Sequence, residues 1–151
     1  MRAAFEILSI NISESRGERK RPVESCLLVR EHGLEGDAHA GDWPRQVSLL
    51  AVEEIERIQA FDTARNLSFD YYTENFTTRG ADLSRLPIGT RLHLGDAVLE
   101  VTQIGKEEAA GYALESNPRE YVNSRKGVFA RVLKGARVNR KSPCYVEFPD
   151  T

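Results

Sequence analysis

The sequence predicts a mostly-β domain of the barrel kind, and three observations carry that expectation. Short segments of alternating apolar and polar residues recur along the chain. Two of them flank Gly95-Asp96, a two-residue turn suited to a hairpin. Only one stretch has helical spacing, so no strand–helix–strand rhythm points to a layered parallel sheet.

The elements follow in order. From Phe5 to Ile12 one face is apolar and the other mixed, which reads as a strand. The charged stretch ESRGERKR, Glu14 to Arg21, then runs into Pro22. It reads either as a solvated loop or as a loop facing an anionic ligand. Val23 to Val29 is a second strand. HGLEGDAHAG, His32 to Gly41, holds no regular element, because its glycines permit unusual backbone angles and close approaches. After the apolar run QVSLL, Val52, Ile55, Ile58 and Phe61 recur at helical spacing. Glu53 and Arg57 stand four apart in the favourable order. The main helix is therefore expected at about 51–62. Arg91 to Leu94 and Ala97 to Ile104 form the hairpin, and Val128 to Leu133 and Cys144 to Phe148 supply two more strands.

Length and composition fit one globular domain spanning residues 1–151, with 40% hydrophobic and 29% charged residues. A net charge of −2 gives no reason to expect nucleic acid. Nothing approaches the roughly 20 apolar residues of a membrane helix, and Glu6 interrupts the start of the chain before any signal-peptide core can form. A soluble, cytoplasmic protein without membrane contact is expected. Cys26 and Cys144 have no metal-ligand spacing. In the cytoplasm they read as two buried free thiols, with pairing between them left open. His32, Asp37, His39 and Asp42 match no zinc pattern, so no metal site is assigned to them. Trp43 reads as a rim or packing residue, or else as a stacking platform for a heterocycle.

Several polar residues interrupt apolar rows. Gln103 follows Leu99 and Val101 at strand spacing, and Arg131 lies between Phe129 and Leu133. Such groups need a buried partner or a ligand. ENFTTRG, Glu74 to Gly80, adds donors beside a glycine, and turn chemistry accounts for much of it. Together these segments suggest a pocket for an anion.

Five blocks, GLEGDAHAG, RQVSLL, ENFTTRGADL, LPIGTRLHLGDAVLEVTQIGK and GVFARVLKG, occur in this order between about Val23 and Val138. In them the chain resembles the MOSC domain family, named for the C-terminal domain of molybdenum-cofactor sulfurases, and most of all its short stand-alone bacterial members. The resemblance implies a β-barrel with short helical turns and a link to molybdenum-cofactor (molybdopterin) chemistry. Family members carry sulfur or hold the cofactor's metal through a cysteine, and relatives include reductases of N-hydroxylated compounds. Pyridoxal phosphate serves the large sulfurases in a separate domain and is not expected in this one.

The resemblance carries over Arg45, Asn75, Thr77, Arg79, Gln103, Lys106 and Arg131 as ligand-binding residues. It also marks a departure. Where stand-alone relatives read like ECHxGCAI, this chain reads EEAAGYAL, so the family cysteines fall on Glu108 and Tyr112; a further one falls on Tyr121. A carboxylate or phenol cannot carry a persulfide, and a carboxylate replaces soft sulfur poorly on molybdenum. The expectation is a cradle without its thiol. It would bind a molybdopterin-type or other anionic ligand, or a protein of that pathway, with Glu108 and Tyr112 at the pocket mouth. The alternative is a sulfur carrier, sulfurtransferase or cofactor-dependent reductase.

Overall fold

A computed structural model describes residues 2–61, 72–106 and 118–149. Its strands are β1 (Arg2–Ile12), β2 (Arg21–Val23), β3 (Ser25–Val29), β4 (Gly33–Leu34), β5 (Val47–Ala51), β6 (Phe76–Arg79), β7 (Arg91–Leu94), β8 (Ala97–Ile104), β9 (Val128–Lys134), β10 (Ala136–Asn139) and β11 (Cys144–Glu147). The helices described are α1 (Val52–Phe61) and α2 (Pro118–Lys126), with a 3-10 turn at Leu83–Arg85. The main helix lies where its apolar spacing placed it.

Seven strands close a barrel in the order β11-β7-β8-β9-β5-β6-β1, with β1 returning to β11. Closure removes the exposed edges an open sheet would leave. β1 is long enough to serve three partners along its length: β11 at Arg2 to Phe5, β6 at Glu6 to Ile10, and β2 at Ile10 to Ile12. β3, β4 and β10 form a separate small sheet. All barrel neighbours are antiparallel except β5 and β6. A parallel pair cannot be joined by a tight turn, and α1 lies in the connection between them. One strand–helix–strand crossover is thus built into a barrel whose sequence shows no such rhythm.

The lumen is apolar. Ile7, Ile10, Leu49, Phe76, Leu92, Leu99, Val101, Val128, Ala130 and Val132 share one buried cluster. A smaller cluster lies outside the barrel, where Leu50 of β5 meets Ile55 of α1 and Val122 of α2. The helices therefore cover the outer wall at β5, and side chains there are buried too.

This second layer reverses one expectation. On β9 the lumen takes Val128, Ala130 and Val132. The alternate row, Phe129, Arg131 and Leu133, faces outward. A bulge moves Gln103 as well: Val101 pairs with Ala130, and Gln103 with Phe129, so Thr102 is the extra residue. Strict alternation from Leu99 and Val101 would put Gln103 in the lumen; the bulge turns it to the outer wall beside Phe129.

Candidate functional site

A cavity of about 430 Å³ opens on this outer wall, within the range of small-molecule sites. Its floor is Ser48 and Phe129, paired across β5 and β9. Residues 17–20 form one side, together with His39 and Trp43 of the glycine-rich loop. Tyr72, Thr73 and Asn75 lead into β6, and Asn123 comes from α2.

Among the described residues four cationic side chains line it, Arg19, Lys20, Arg45 and Lys106, against one carboxylate, Glu18. A chain with net charge −2 has thus gathered positive charge at one place. Aromatic rings lie among these cations. The Arg45 guanidinium stands 5.5 Å from the Phe129 ring centre and 5.9 Å from that of Trp43, and the Lys106 ammonium 5.8 Å from that of Phe129. Arg45 Nε donates to Gln103 Oε1 at 3.3 Å, and Gln103 Nε2 donates to Gly105 O at 2.6 Å. Gln103 therefore orients Arg45 from the wall.

Lys20 is buried, and its ammonium donates to Asp37 Oδ1 at 3.1 Å and to His39 Nδ1 at 3.0 Å. Asp37 also accepts from the Ser13 amide at 3.0 Å, which ties the charged loop to the glycine-rich one. An ammonium has only protons to offer, so Nδ1 of His39 is the acceptor and the ring proton sits on Nε2. Burial lowers the Lys20 pKa despite the opposing pull of Asp37. His39 is likewise held below the usual histidine range, by burial first and then by the charge of Lys20.

A second buried pair supports the opposite side. Arg119 Nε donates to Glu74 Oε1 at 2.7 Å, and Arg119 Nη2 to Thr77 Oγ1 at 3.0 Å. The guanidinium also lies 4.6 Å from the Tyr72 ring centre. This network anchors the start of α2 against β6. The far end of α2 is docked by backbone: Lys106 N donates to Ser124 O at 2.7 Å, and Gly105 N to Gly127 O at 2.7 Å. Gly105 has φ +67°, and a Cβ there would stand 2.9 Å from Arg125 O, so only glycine fits the junction.

The structure brings together Arg45, Asn75 and Lys106 in the cavity, with Gln103 in the adjoining groove. Asn75 has a structural task there: Nδ2 donates to Asn11 O, and Oδ1 accepts from the Ser48 amide. Thr77 is buried in the Glu74–Arg119 network. Arg79 pairs with Glu56 on the surface at 2.9 Å. Arg131, expected on a lumen-facing apolar row, instead points outward and pairs with Glu100 at 3.1 Å and Glu31 at 3.4 Å. None of these last three lines the cavity. Glu108 and Tyr112 fall outside the described residues. Tyr121 lies on α2, its ring 4.6 Å from the Arg125 guanidinium. Lys20, His39 and Arg119 are the residues that sequence reasoning left unassigned. The only signal for Lys20 was the charged stretch Glu14 to Arg21, one of whose two readings was a loop facing an anionic ligand.

Both cysteines are buried in the main apolar cluster, Cys26 from the small sheet and Cys144 from β11, and neither lines the cavity. Burial pushes the thiols of Cys26 and Cys144 up to about 12, far from the thiolate form. Among the described residues no cluster of three histidine, cysteine or acidic side chains could hold a metal ion, and no helix is long and apolar enough to cross a membrane.

A closed barrel carrying a basic, aromatic-lined cavity on its outer wall defines the class of this molecule. Residues 36–106, a little under half of the chain, match the sequence model of the MOSC domain. The chain's fold is similar to that of the YuaD protein from Bacillus subtilis, at 15% identity over 99% of each chain and a TM-score of 0.75. It is also similar to YiiM from Escherichia coli, at 19% identity over 100% of this chain and 72% of that one, TM-score 0.67. YiiM from Geobacillus stearothermophilus is 16% identical over 95% of this chain and 75% of that one, TM-score 0.66. None of the curated proteins compared matches the chain.

Proposed function

We propose that this protein binds a phosphate-bearing aromatic heterocycle of the molybdopterin type, as a binding module without a reactive thiol. The observation that carries the reading is the joining of Arg19, Lys20, Arg45 and Lys106 with Trp43, Tyr72 and Phe129 in one cavity of about 430 Å³. Guanidinium and ammonium groups suit a phosphate, and flat aromatic faces suit a conjugated ring. The polar side, with Ser48, Thr73 and Asn123, offers hydrogen bonds to a heterocycle's edge; Asn123 Oδ1 has no partner among the described residues.

The donor set fits the organic part of the cofactor better than its metal. Arg45, Lys106 and Arg19 would hold the phosphate and Trp43 or Phe129 the ring. The metal would supply redox or sulfur-transfer chemistry, but the chain's two cysteines are buried away from the cavity as protonated thiols. That burial also counts against the sulfur-carrier alternative.

Titration calorimetry with 7,8-dihydroneopterin monophosphate tests the reading. Saturable binding is expected, weakened at least tenfold by Arg45→Ala or Lys106→Ala and weakened by salt. Absence of saturable binding at millimolar ligand in low salt, or binding indifferent to both substitutions, would overturn it.

A further inference from the structure

The cavity does not end at Arg45 and Lys106. A shallow groove of about 650 Å³ continues from them, lined by Gln103, Ser124 and Arg125. Arg45 and Lys106 line both spaces, so the two are continuous through a pair of cations. Arg125, in the last turn of α2, adds a third positive charge, and among the described residues no acidic side chain lines the groove.

Resting on the binding function proposed above, we infer that this groove is a second anion subsite, so that the ligand is a diphosphate or triphosphate ester of the heterocycle. One phosphoryl group would lie between Arg45 and Lys106, and the next beside Arg125. A groove at a helix C-terminus is ordinarily unfavourable for an anion, because the last carbonyls are exposed. Here two of the local carbonyls are occupied: Ser124 O accepts from Lys106 N, and Gly127 O from Gly105 N. Both donors belong to the same short segment that supplies Lys106. Arg125 is also held in place, its guanidinium 4.6 Å from the Tyr121 ring centre. Orientation by an aromatic ring reduces the side-chain freedom lost when an oxyanion binds.

The test compares 7,8-dihydroneopterin monophosphate with 7,8-dihydroneopterin triphosphate by calorimetry at one ionic strength, with magnesium omitted. Inorganic phosphate and pyrophosphate form a ring-free arm. The triphosphate is expected to bind at least tenfold tighter than the monophosphate. Arg125→Gln should remove most of that advantage while leaving monophosphate affinity within twofold, and its melting temperature should show that it still folds. Equal affinity for the two esters, or an advantage that survives Arg125→Gln, overturns the subsite. If neither pterin binds but pyrophosphate binds in an Arg125-dependent way, the groove stands and the heterocycle reading fails. If no anion binds, both fail.

Discussion

The inner and outer faces of this barrel are made by the same strands, yet they do different work. On β9 the inward row Val128, Ala130 and Val132 belongs to the main buried apolar cluster. The outward row carries Phe129 under the cavity and Arg131 in surface ion pairs. The lumen is closed and has no chemistry to offer. The outer wall is buried only where helices and loops cover it, and their polar groups pair with one another: Glu74 with Arg119, Asp37 with Lys20. In this barrel, fold and site are separated by the thickness of one strand.

That separation can be tested by comparing stability with binding, and the largest effect belongs to the outer wall. Arg119→Ala leaves Glu74 buried without its cation and should destabilise by about 3–5 kcal/mol in urea unfolding. A loss below about 1 kcal/mol would mean the outer layer is not integral to the fold. Leu99→Ala, in the lumen, should destabilise by about 2–5 kcal/mol. At temperatures where the variant is folded, ligand affinity should stay within twofold. Loss of binding in the folded variant would show that the two faces are coupled.

Acid stability sharpens the comparison further. In the folded protein burial, Lys20, Arg16 and Lys106 oppose protonation of His39, while Asp37 favours it, and the net shift is downward. The unfolded chain therefore takes up this proton first. The contribution of His39 to stability is complete above its ordinary value of 6.5 and declines as pH falls through that value towards the lower folded one. Urea midpoints measured from pH 7.5 to 5.0 should fall less steeply in His39→Gln than in the wild type. Parallel curves would remove His39 from the acid limb. The smallest effect is expected for Arg131→Ala: its pairs are half-exposed, so the change should cost about 1 kcal/mol or less and leave ligand affinity unaltered.

Much of the barrel was legible because strand alternation is local. The Gly95-Asp96 hairpin and the helix Val52–Phe61 needed only their own residues. Which face of a strand looks inward was not legible. In β9 both rows contain apolar residues, and covering helices bury the outer one as well, so Phe129 and Leu133 misplaced Arg131. α2 was missed for a related reason: PREYVNSRK is polar apart from a narrow stripe at Tyr121 and Val122 that packs on Leu50. In the site, Arg45 and Lys106 stood in recognisable blocks. Lys20 did not, since a run of basic residues gives no sign of which one will meet an aspartate 17 positions on. The pairing of Glu74 with Arg119 spans 45 positions and has no local trace at all.

The bulge at Thr102 gives its strand a clasp that regular pairing would not supply. Its backbone detour lets one strand serve two compartments, with Leu99 and Val101 on one side and Gln103 on the other before Ile104 returns inward opposite Val128. Thr102 fastens the detour from its own hydroxyl, whose single proton goes to the carbonyl of Pro44, the residue next to Arg45, or to Phe129 O at 3.1 Å. A substitution at Thr102 would loosen this fastening and leave the frame intact. Removing the residue would close the bulge: Gln103, then next to Val101, would still alternate to the outer wall opposite Phe129, and the clasp to Pro44 O would be lost. Natural variants one residue shorter here should therefore keep the same outer face and give up only the clasp.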